Sequence, residues 1–395
     1  MRKVDHGVFI LITFLYWFSL YIYVPILTPY LEWMGSSYTY IGIVLASYGI
    51  IQMLIRLPLG IYSDYLKVRR PFIALGFITS AISCFGFVVL QQAEWALLSR
   101  AISGITASTW VAFTVLYSSY YAQQTAKAMA NIQFVTVVTQ LISMGLSGYL
   151  VSKMGWHAPF WLGGIVALIG LLLTFFIKEP AEGVSRPPIQ LKELALVLKD
   201  STLIKVSILS ILAHGILFVT TFGFTPSYAL TIGASEQDLS LLILSFMAPH
   251  AIAALLAGRV FVAHLGKWGT LILGFLGSSI FSSLIPIMPS LGWLCLSQAF
   301  NGFFQGIIFP LFLSMAIESI ESEKRATAMG FYQAVYSLGM FMGPFLAGWL
   351  IEHFGLNSGF QVAGISGLIA LGFSIYWAKQ YRDSLVINQS KSVQN

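Results

Sequence analysis

The residues that could do chemistry in this sequence are few, because only 9% of its 395 residues are charged. Arg100 lies six residues after Glu94, so a helix would place it about 9 Å deeper in an apolar run. A cation at such depth is costly and normally faces the protein interior or a water-filled cavity. We interpret Arg100 as a residue that binds an anionic group. The alternative is a structural arginine bonded to backbone carbonyls or hydroxyls.

Two histidines also lie within apolar runs. His214 and His250 titrate near neutral pH in their unperturbed state, so either could carry a proton, and the alternative is a neutral histidine that bonds two helices. All 15 acidic residues fall in loops, in tails or at the edges of the apolar runs, which makes organic cations poorer candidate substrates. Unpaired amides are costly in lipid and should face one another or a wet cavity. Amides recur at Gln52, Asn131, Gln133, Gln140, Gln298, Asn301, Gln305 and Gln333.

Aromatic side chains are candidates for the walls of a ligand cavity. They include Trp17 in the first apolar run and Trp110 in the fourth, where a helical stripe continues through Phe113, Tyr117 and Tyr121. Such walls would suit an amphipathic or aromatic ligand. The alternative for these side chains is ordinary packing or contact with lipid.

The elements that must position these residues are apolar runs long enough to cross a membrane. The chain is 57% apolar with a mean hydropathy of +0.82, and a spanning helix needs about 20 residues. We predict an all-α membrane protein whose twelve transmembrane helices occupy 7–29, 40–63, 71–92, 95–120, 129–151, 157–177, 204–229, 239–262, 269–288, 291–317, 327–351 and 359–379. A six-helix bundle (1–177), a linker (178–203) with a short surface helix over 190–198, a second bundle (204–380) and a tail (381–395) follow from these runs.

The basic residues predict the orientation of the chain. All of the 21 lysines and arginines except Lys153, Arg56 and Arg100 fall in segments on one side, and positive segments stay in the cytoplasm. Both termini are therefore expected inside, with the bacterial cytoplasmic membrane as the location. Topology thus explains the net charge of +6, and nucleic acid is not an expected partner. Cys84 and Cys295 provide neither a disulfide framework nor metal-ligand spacing.

The two halves of the sequence repeat each other. Residues 75–77 match 273–275 at a spacing of 198, and Gly104 matches Gly302 at the same spacing. A nearly constant spacing across five runs predicts two bundles with the same orientation, related by a pseudo-two-fold axis along the membrane normal. Transporters of this architecture bind their substrates near the midplane, between the halves.

One loop gathers charge that topology alone does not require. Gly60-x-x-x-Asp64 is followed by Arg69 and Arg70, and this pattern resembles the signature between spans 2 and 3 of the major facilitator superfamily. The sequence departs from that signature at Tyr65, Lys67 and Val68. Further elements resemble the same family: Arg100-x-x-x-Gly104, Lys324-Arg325 and Gly339-x-x-x-Gly343-Pro344.

The resemblance implies a major facilitator fold and a gate. In that gate Asp64 would meet the positive N-terminus of span 11 beside Arg325, and Gly60 would let a facing helix come close. Arg69 and Arg70 would belong to the same switch, although both could be topology anchors. We interpret Arg56, one turn before Gly60, as a structural residue. The resemblance also implies that Arg100 could take part in proton transfer.

We predict a secondary transporter that moves a small organic solute by alternating access, outward and driven by a proton gradient, without a cofactor. The antiporter pattern of span 5 is not met, because Thr139, Ser143, Met144 and Ser147 replace its glycines and proline. The alternatives are an importer of an organic anion or other nutrient, a lipid flippase and a non-transporting sensor. An enzyme is not expected, since the sequence lacks a P-loop, a zinc motif and a nucleophile–base pair. We expect a monomer whose partners are its substrate and lipids.

Overall fold

The computed structural model describes residues 3–89, 92–121, 125–179, 197–321 and 324–394. Its first half contains α1 to α8. These are Lys3–Tyr21, Leu27–Trp33, Tyr38–Leu66, Arg70–Val89, Ala93–Ser108, Trp110–Ser119, Thr125–Met154 and Ala158–Leu173. The second half contains α9 to α15. These are Ser201–Val219, Thr225–Thr231, Asp238–Leu256, Ala263–Ser283, Leu291–Glu318, Arg325–Phe354 and Leu356–Gln394.

Eleven helices in this described part are long and apolar enough to cross a membrane. One of them, Asp238–Ile287, contains 50 residues and would measure about 75 Å if straight, against about 30 Å for a bilayer core. Gly266 interrupts it with φ 69° and ψ 173°, a non-helical conformation that suits glycine. The all-helical fold is confirmed, and the count of twelve spans stays a prediction. The helix predicted over 190–198 lies almost wholly outside the described residues.

Corresponding helices of the two halves are irregular at the same place. A 3₁₀ turn, Val24–Ile26, joins α1 to α2, and its first position precedes Pro25, which cannot donate a backbone hydrogen bond. In the second half a π-helical turn, Thr220–Phe224, joins α9 to α10. Such irregular turns often occur at functional sites.

The two ends of the bundle differ in how closely the halves meet. We call the end where α1 begins the N-face, which the charge pattern predicts to be cytoplasmic, and the other end the far face. Towards the far face α3 and α14 touch backbone to backbone. A Cβ on Gly42 would lie 2.5 Å from the carbonyl oxygen of Pro344, and one on Gly49 would lie 2.5 Å from the amide nitrogen of Phe341. Helices α7 and α11 meet near the same face, where Tyr149 donates its N–H to Ser240 at 3.0 Å.

Gly60, towards the N-face, does not provide the close helix approach predicted for it. A Cβ there would meet only Val111 of the same half, at an ordinary 3.6 Å. In this conformation the prediction was wrong, because α3 contacts α14 nearer the far face, at Gly42 and Gly49. Gly339 and Gly343 do support close packing, but against Ile211 and Gly215 of α9 in their own half.

Candidate functional site

Arg100 of α5 is buried, with 2% of its surface exposed, and lies in a box of tyrosines. Its Nη1 donates to the hydroxyl of Tyr23 at 3.2 Å. Its guanidinium carbon lies 4.4 Å from the ring centroid of Tyr48 and 5.7 Å from that of Tyr23. Aromatic faces attract a cation, so the two rings partly replace the lost hydration of the guanidinium.

Both halves of the protein enclose this arginine. A narrow crevice beside it is lined by Leu20, Tyr21, Val24, Tyr48, Arg100, Phe218 and Phe222. Phe218 and Phe222 come from α9 and the π-helical turn that follows it, in the second half. Phe218 stacks on Tyr48 at 5.9 Å, and Phe222 meets Tyr21 edge-on at 5.9 Å. Arg100 therefore lies where the two halves meet.

Among the described residues, no carboxylate pairs with the charge of Arg100. Within the described ranges its polar partner is the neutral Tyr23, its Nε has no hydrogen-bond partner, and the ion pairs that form lie elsewhere. A buried cation without a paired anion is unfavourable, and an anionic ligand would relieve that cost. The arrangement can therefore bind an anion.

A second buried arginine, Arg56 of α3, bridges the two halves. Its Nη1 donates to the hydroxyl of Tyr336 in α14 at 2.8 Å, and its Nη2 donates to the carbonyl of Ala107 at 3.0 Å. Only 4% of Arg56 is exposed, and its Nε has no partner in the described part of the chain. These bonds tie α3 to α14 and α5, as the structural role predicted for Arg56 requires, and they place a second guanidinium where the halves meet.

Tyr336 connects Arg56 to His214. The imidazole stacks on the phenol ring at 4.1 Å with an interplanar angle of 1°, and its Nδ1 lies 2.8 Å from the carbonyl oxygen of Ser210. The Ser210 hydroxyl lies 2.8 Å from that of Tyr332. His214 thus bonds to uncharged groups, and a single residue, Tyr336, lies between it and the charged Arg56.

His250 of α11 has an apolar environment. Its ring stacks on Phe246 at 5.6 Å and lies 5.7 Å from Phe309, which also contacts His214 at 4.9 Å. Its Nδ1 lacks a hydrogen-bond partner among the described residues. Phe309 therefore contacts both histidines.

The predicted amides do not form one group. Gln52 is buried and its Oε1 accepts a 2.8 Å bond from Ser337 of α14, so it bridges the halves beside Arg56. Gln298 is buried in a separate small pocket with Thr221 and Thr225, and its Oε1 has no partner there. Gln133 is exposed on α7, and its role in the pathway stays a prediction.

Trp17 and Trp110 pack against each other next to a residue that lines the crevice. Their ring centroids lie 4.8 Å apart, and Trp17 packs on Tyr21 at 5.3 Å, which lines the crevice itself. Trp17 Nε1 is buried without a hydrogen-bond partner in the described residues. In this conformation the two tryptophans do not line the crevice itself, and their role as cavity walls stays a prediction.

The charged loop at the N-face forms a closed network of its own. Arg69 is buried and pairs with Asp64, and its Nη1 also donates to the Ser63 hydroxyl. Glu179 accepts from the backbone N–H groups of Arg69 and Arg70. Lys67 adopts φ 55°, a left-handed turn that folds the loop back on α3 and brings Arg69 to Asp64.

The predicted contact between Asp64 and the N-terminus of span 11 is not made in this conformation. Arg325, at the start of α14, instead donates Nε to the carbonyl of Ile320 at 3.0 Å. Arg70 stacks over Phe175 at 5.3 Å, within its own half. In place of that contact, Asp64 pairs with Arg69 of the same loop.

Sequence analysis missed three tyrosines that complete the site, namely Tyr23, Tyr48 and Tyr336. Tyr23 lies two residues before Pro25. A proline in a helix predicts a bend, and a bend signals that a nearby side chain leaves the regular helix surface. Tyr48 and Tyr336 carry no such signal in the sequence, because any aromatic residue of an apolar run packs or meets lipid equally well.

A family model described as the Major Facilitator Superfamily matches residues 9–235 and again 206–392. The inner membrane transport protein YajR of Escherichia coli (strain K12) is 26% identical over 357 residues, covering 84% of this chain and 74% of that protein. A cis,cis-muconate transport protein of Acinetobacter baylyi is 24% identical over 316 residues, covering 76% of each. Both are transport proteins.

The fold matches solved transporters over nearly the whole chain. A bacterial homologue of the human lysosomal transporter Spinster superimposes with a TM-score of 0.79 at 15% identity, covering 97% of this chain and 98% of that one. At this identity the likeness concerns the fold alone.

Proposed function

Because the chain belongs to the major facilitator superfamily and is a secondary transporter, we propose that its substrate is a small organic anion whose negative group binds Arg100. One observation carries the proposal: Arg100 is buried between the halves in a box of neutral tyrosines, without a carboxylate among its described partners. In the absence of a ligand the protein bears the cost of that charge. A substrate anion offsets it only while it is bound.

The position of the crevice supports alternating access. Tyr23 and Tyr48 belong to the first half, whereas Phe218 and Phe222, which cover them, belong to the second. A rocking motion that separates α9 from the first half would uncover Arg100 without breaking its contacts with Tyr23 and Tyr48. The substrate would then meet a cation that stays fixed while the cover moves.

The aromatic and aliphatic lining favours an anion with an apolar body. Five of the side chains around the guanidinium, Leu20, Tyr21, Val24, Phe218 and Phe222, offer hydrocarbon or ring surface. The cis,cis-muconate transport protein, named for an unsaturated carboxylate, supports the same class. Outward transport and proton coupling stay predictions.

A matched panel of solutes in proteoliposomes tests the proposal. The panel contains small aliphatic and aromatic carboxylates, each with its neutral amide and its amine, presented with an imposed pH gradient of either sign. We expect protein-dependent, saturable transport of one or more carboxylates and none of the amides or amines. Reversing the gradient identifies the direction and shows whether protons are coupled.

Two results would contradict this substrate class. One is saturable transport of an amine or amide in preference to its carboxylate. The other is binding of carboxylates with unchanged affinity by the Arg100→Gln variant, with Arg259→Gln, an exposed arginine on another helix, as the matched control.

A further inference from the structure

We propose that the substrate is a dicarboxylate, one end of which binds Arg100 and the other Arg56. The inference rests on the proposed function and adds to it a second anion site. Arg56 is buried at the same interface, and no carboxylate pairs with it in the described part of the chain. Two unpaired guanidinium groups call for two negative charges.

The spacing of the two cations suits one small molecule. Arg56 donates to the carbonyl of Ala107, which lies seven residues from Arg100 on α5, or about 10 Å along the helix axis. A carboxylate bonded to a guanidinium lies about 2.8 Å from its nitrogen. Two such ends and a short hydrocarbon spacer can therefore join the groups.

Uncharged side chains lie close to both Arg100 and Arg56. Tyr48, which stacks under Arg100, lies within electrostatic range of Arg56 as well. The same crevice offers Leu20, Val24 and Phe218 to the body of the ligand. A phosphate or other compact anion would reach one guanidinium only, whereas a dicarboxylate with an apolar spacer can bind both.

Binding at Arg56 would require an exchange of partners. Its Nη1 now donates to the hydroxyl of Tyr336, a neutral group on the second half. A carboxylate is the stronger acceptor for a guanidinium, so the second carboxylate replaces the phenol. The exchange removes a polar bond between α3 and α14. Occupancy by a dicarboxylate thereby loosens the contact between the halves, and a monocarboxylate bound at Arg100 leaves it intact.

Binding of adipate and hexanoate to the purified full-length protein, measured by calorimetry in detergent, tests the inference. The two ligands share their carbon chain and differ by one carboxylate. We expect adipate to bind at least about tenfold more tightly, the effect of one added charge-assisted bond.

Two variants locate the second site. Arg56→Gln should reduce the affinity for adipate to that for hexanoate, and the Arg259→Gln control should retain the wild-type preference. Tyr336→Phe removes the phenol that competes for Arg56 and keeps the ring that stacks on His214. It should therefore strengthen adipate binding severalfold without a corresponding gain for hexanoate.

The outcomes separate this inference from the function on which it rests. Equal affinity for adipate and hexanoate in the wild-type protein would overturn the dicarboxylate assignment and leave the organic-anion function standing. A preference for adipate that survives Arg56→Gln would also overturn it, since the second carboxylate would then bind elsewhere. If no carboxylate of any length binds, both proposals are wrong.

Discussion

Arg69 and Arg100 are both buried arginines of the first half, yet their surroundings differ. Arg69, at the N-face, pairs with Asp64, bonds Ser63 and lies beside Glu179. Arg100, between the halves, has one phenol and two aromatic faces. The first cation pairs with a carboxylate, and the second has no carboxylate partner among the described residues.

The difference shows how a buried charge can be assigned to structure or to function. A paired charge contributes to holding a loop in place, and removal of either partner leaves an uncompensated charge. An unpaired charge contributes little to stability, so its presence calls for another explanation. The repeat sharpens this point, because the second half has the neutral Gln298 at the position of Arg100. The second half therefore has a neutral side chain at that position.

Arg100→Gln should give the largest functional effect. The loss of a buried charged partner for the substrate costs about 4 kcal/mol, so we expect carboxylate transport to fall roughly 1,000-fold. The thermal stability of the purified protein should stay the same or rise, because the variant no longer buries an unpaired cation. Proteoliposome uptake and a melting curve measure the two effects. A large loss of stability would place Arg100 with Arg69, as a structural residue.

Arg69→Gln should show the opposite pattern. Asp64 would be left buried without its cation, which costs about 3 kcal/mol of unfolding free energy, while carboxylate affinity should not change. The double variant Asp64→Asn/Arg69→Gln should recover most of that loss, since neither charge remains. Denaturation of the three proteins and ligand binding provide the comparison. If the double variant is no more stable than Arg69→Gln, the ion pair is not the reason for the loss.

Tyr23→Phe should have a moderate effect confined to the arginine box. The variant removes the hydroxyl that accepts from Arg100 at 3.2 Å and keeps the ring. The freed guanidinium N–H must then find another partner, so we expect carboxylate affinity to change by about 1 kcal/mol, or roughly fivefold. An affinity that responds equally to Tyr62→Phe, at an exposed tyrosine of α3, would show that the effect is not specific.

Glu179→Gln should give the smallest effect. Its Oε1 accepts from two backbone N–H groups at the start of α4, and the amide oxygen of glutamine can accept the same bonds. Only the attraction between a negative charge and the helix N-terminus is lost, about 0.5 kcal/mol. A stability loss as large as that of Arg69→Gln would mean that Glu179 is the main anion of the network, in place of Asp64.

Sequence reasoning predicted the transmembrane helices and the burial of Arg100, but not the side chains that Arg69 and Arg100 contact. Hydropathy and the half-chain repeat are local signals, so the spans and the burial of Arg100 could be predicted from them. Whether Asp64 meets Arg69 or α14 depends on the turn at Lys67 and on the conformational state. Likewise, glycines at 42, 49 and 60 look alike in a sequence. Which one touches the facing helix follows from helix tilt, which apolar periodicity does not specify.

An experimental structure with bound adipate would test the central claim most directly. Our account predicts one carboxylate within about 3 Å of the guanidinium nitrogens of Arg100, enclosed by Tyr23 and Tyr48, with Arg69 still bonded to Asp64. A ligand bound away from Arg100, with that guanidinium keeping its present contacts, would contradict the claim that Arg100 is held unpaired for the substrate.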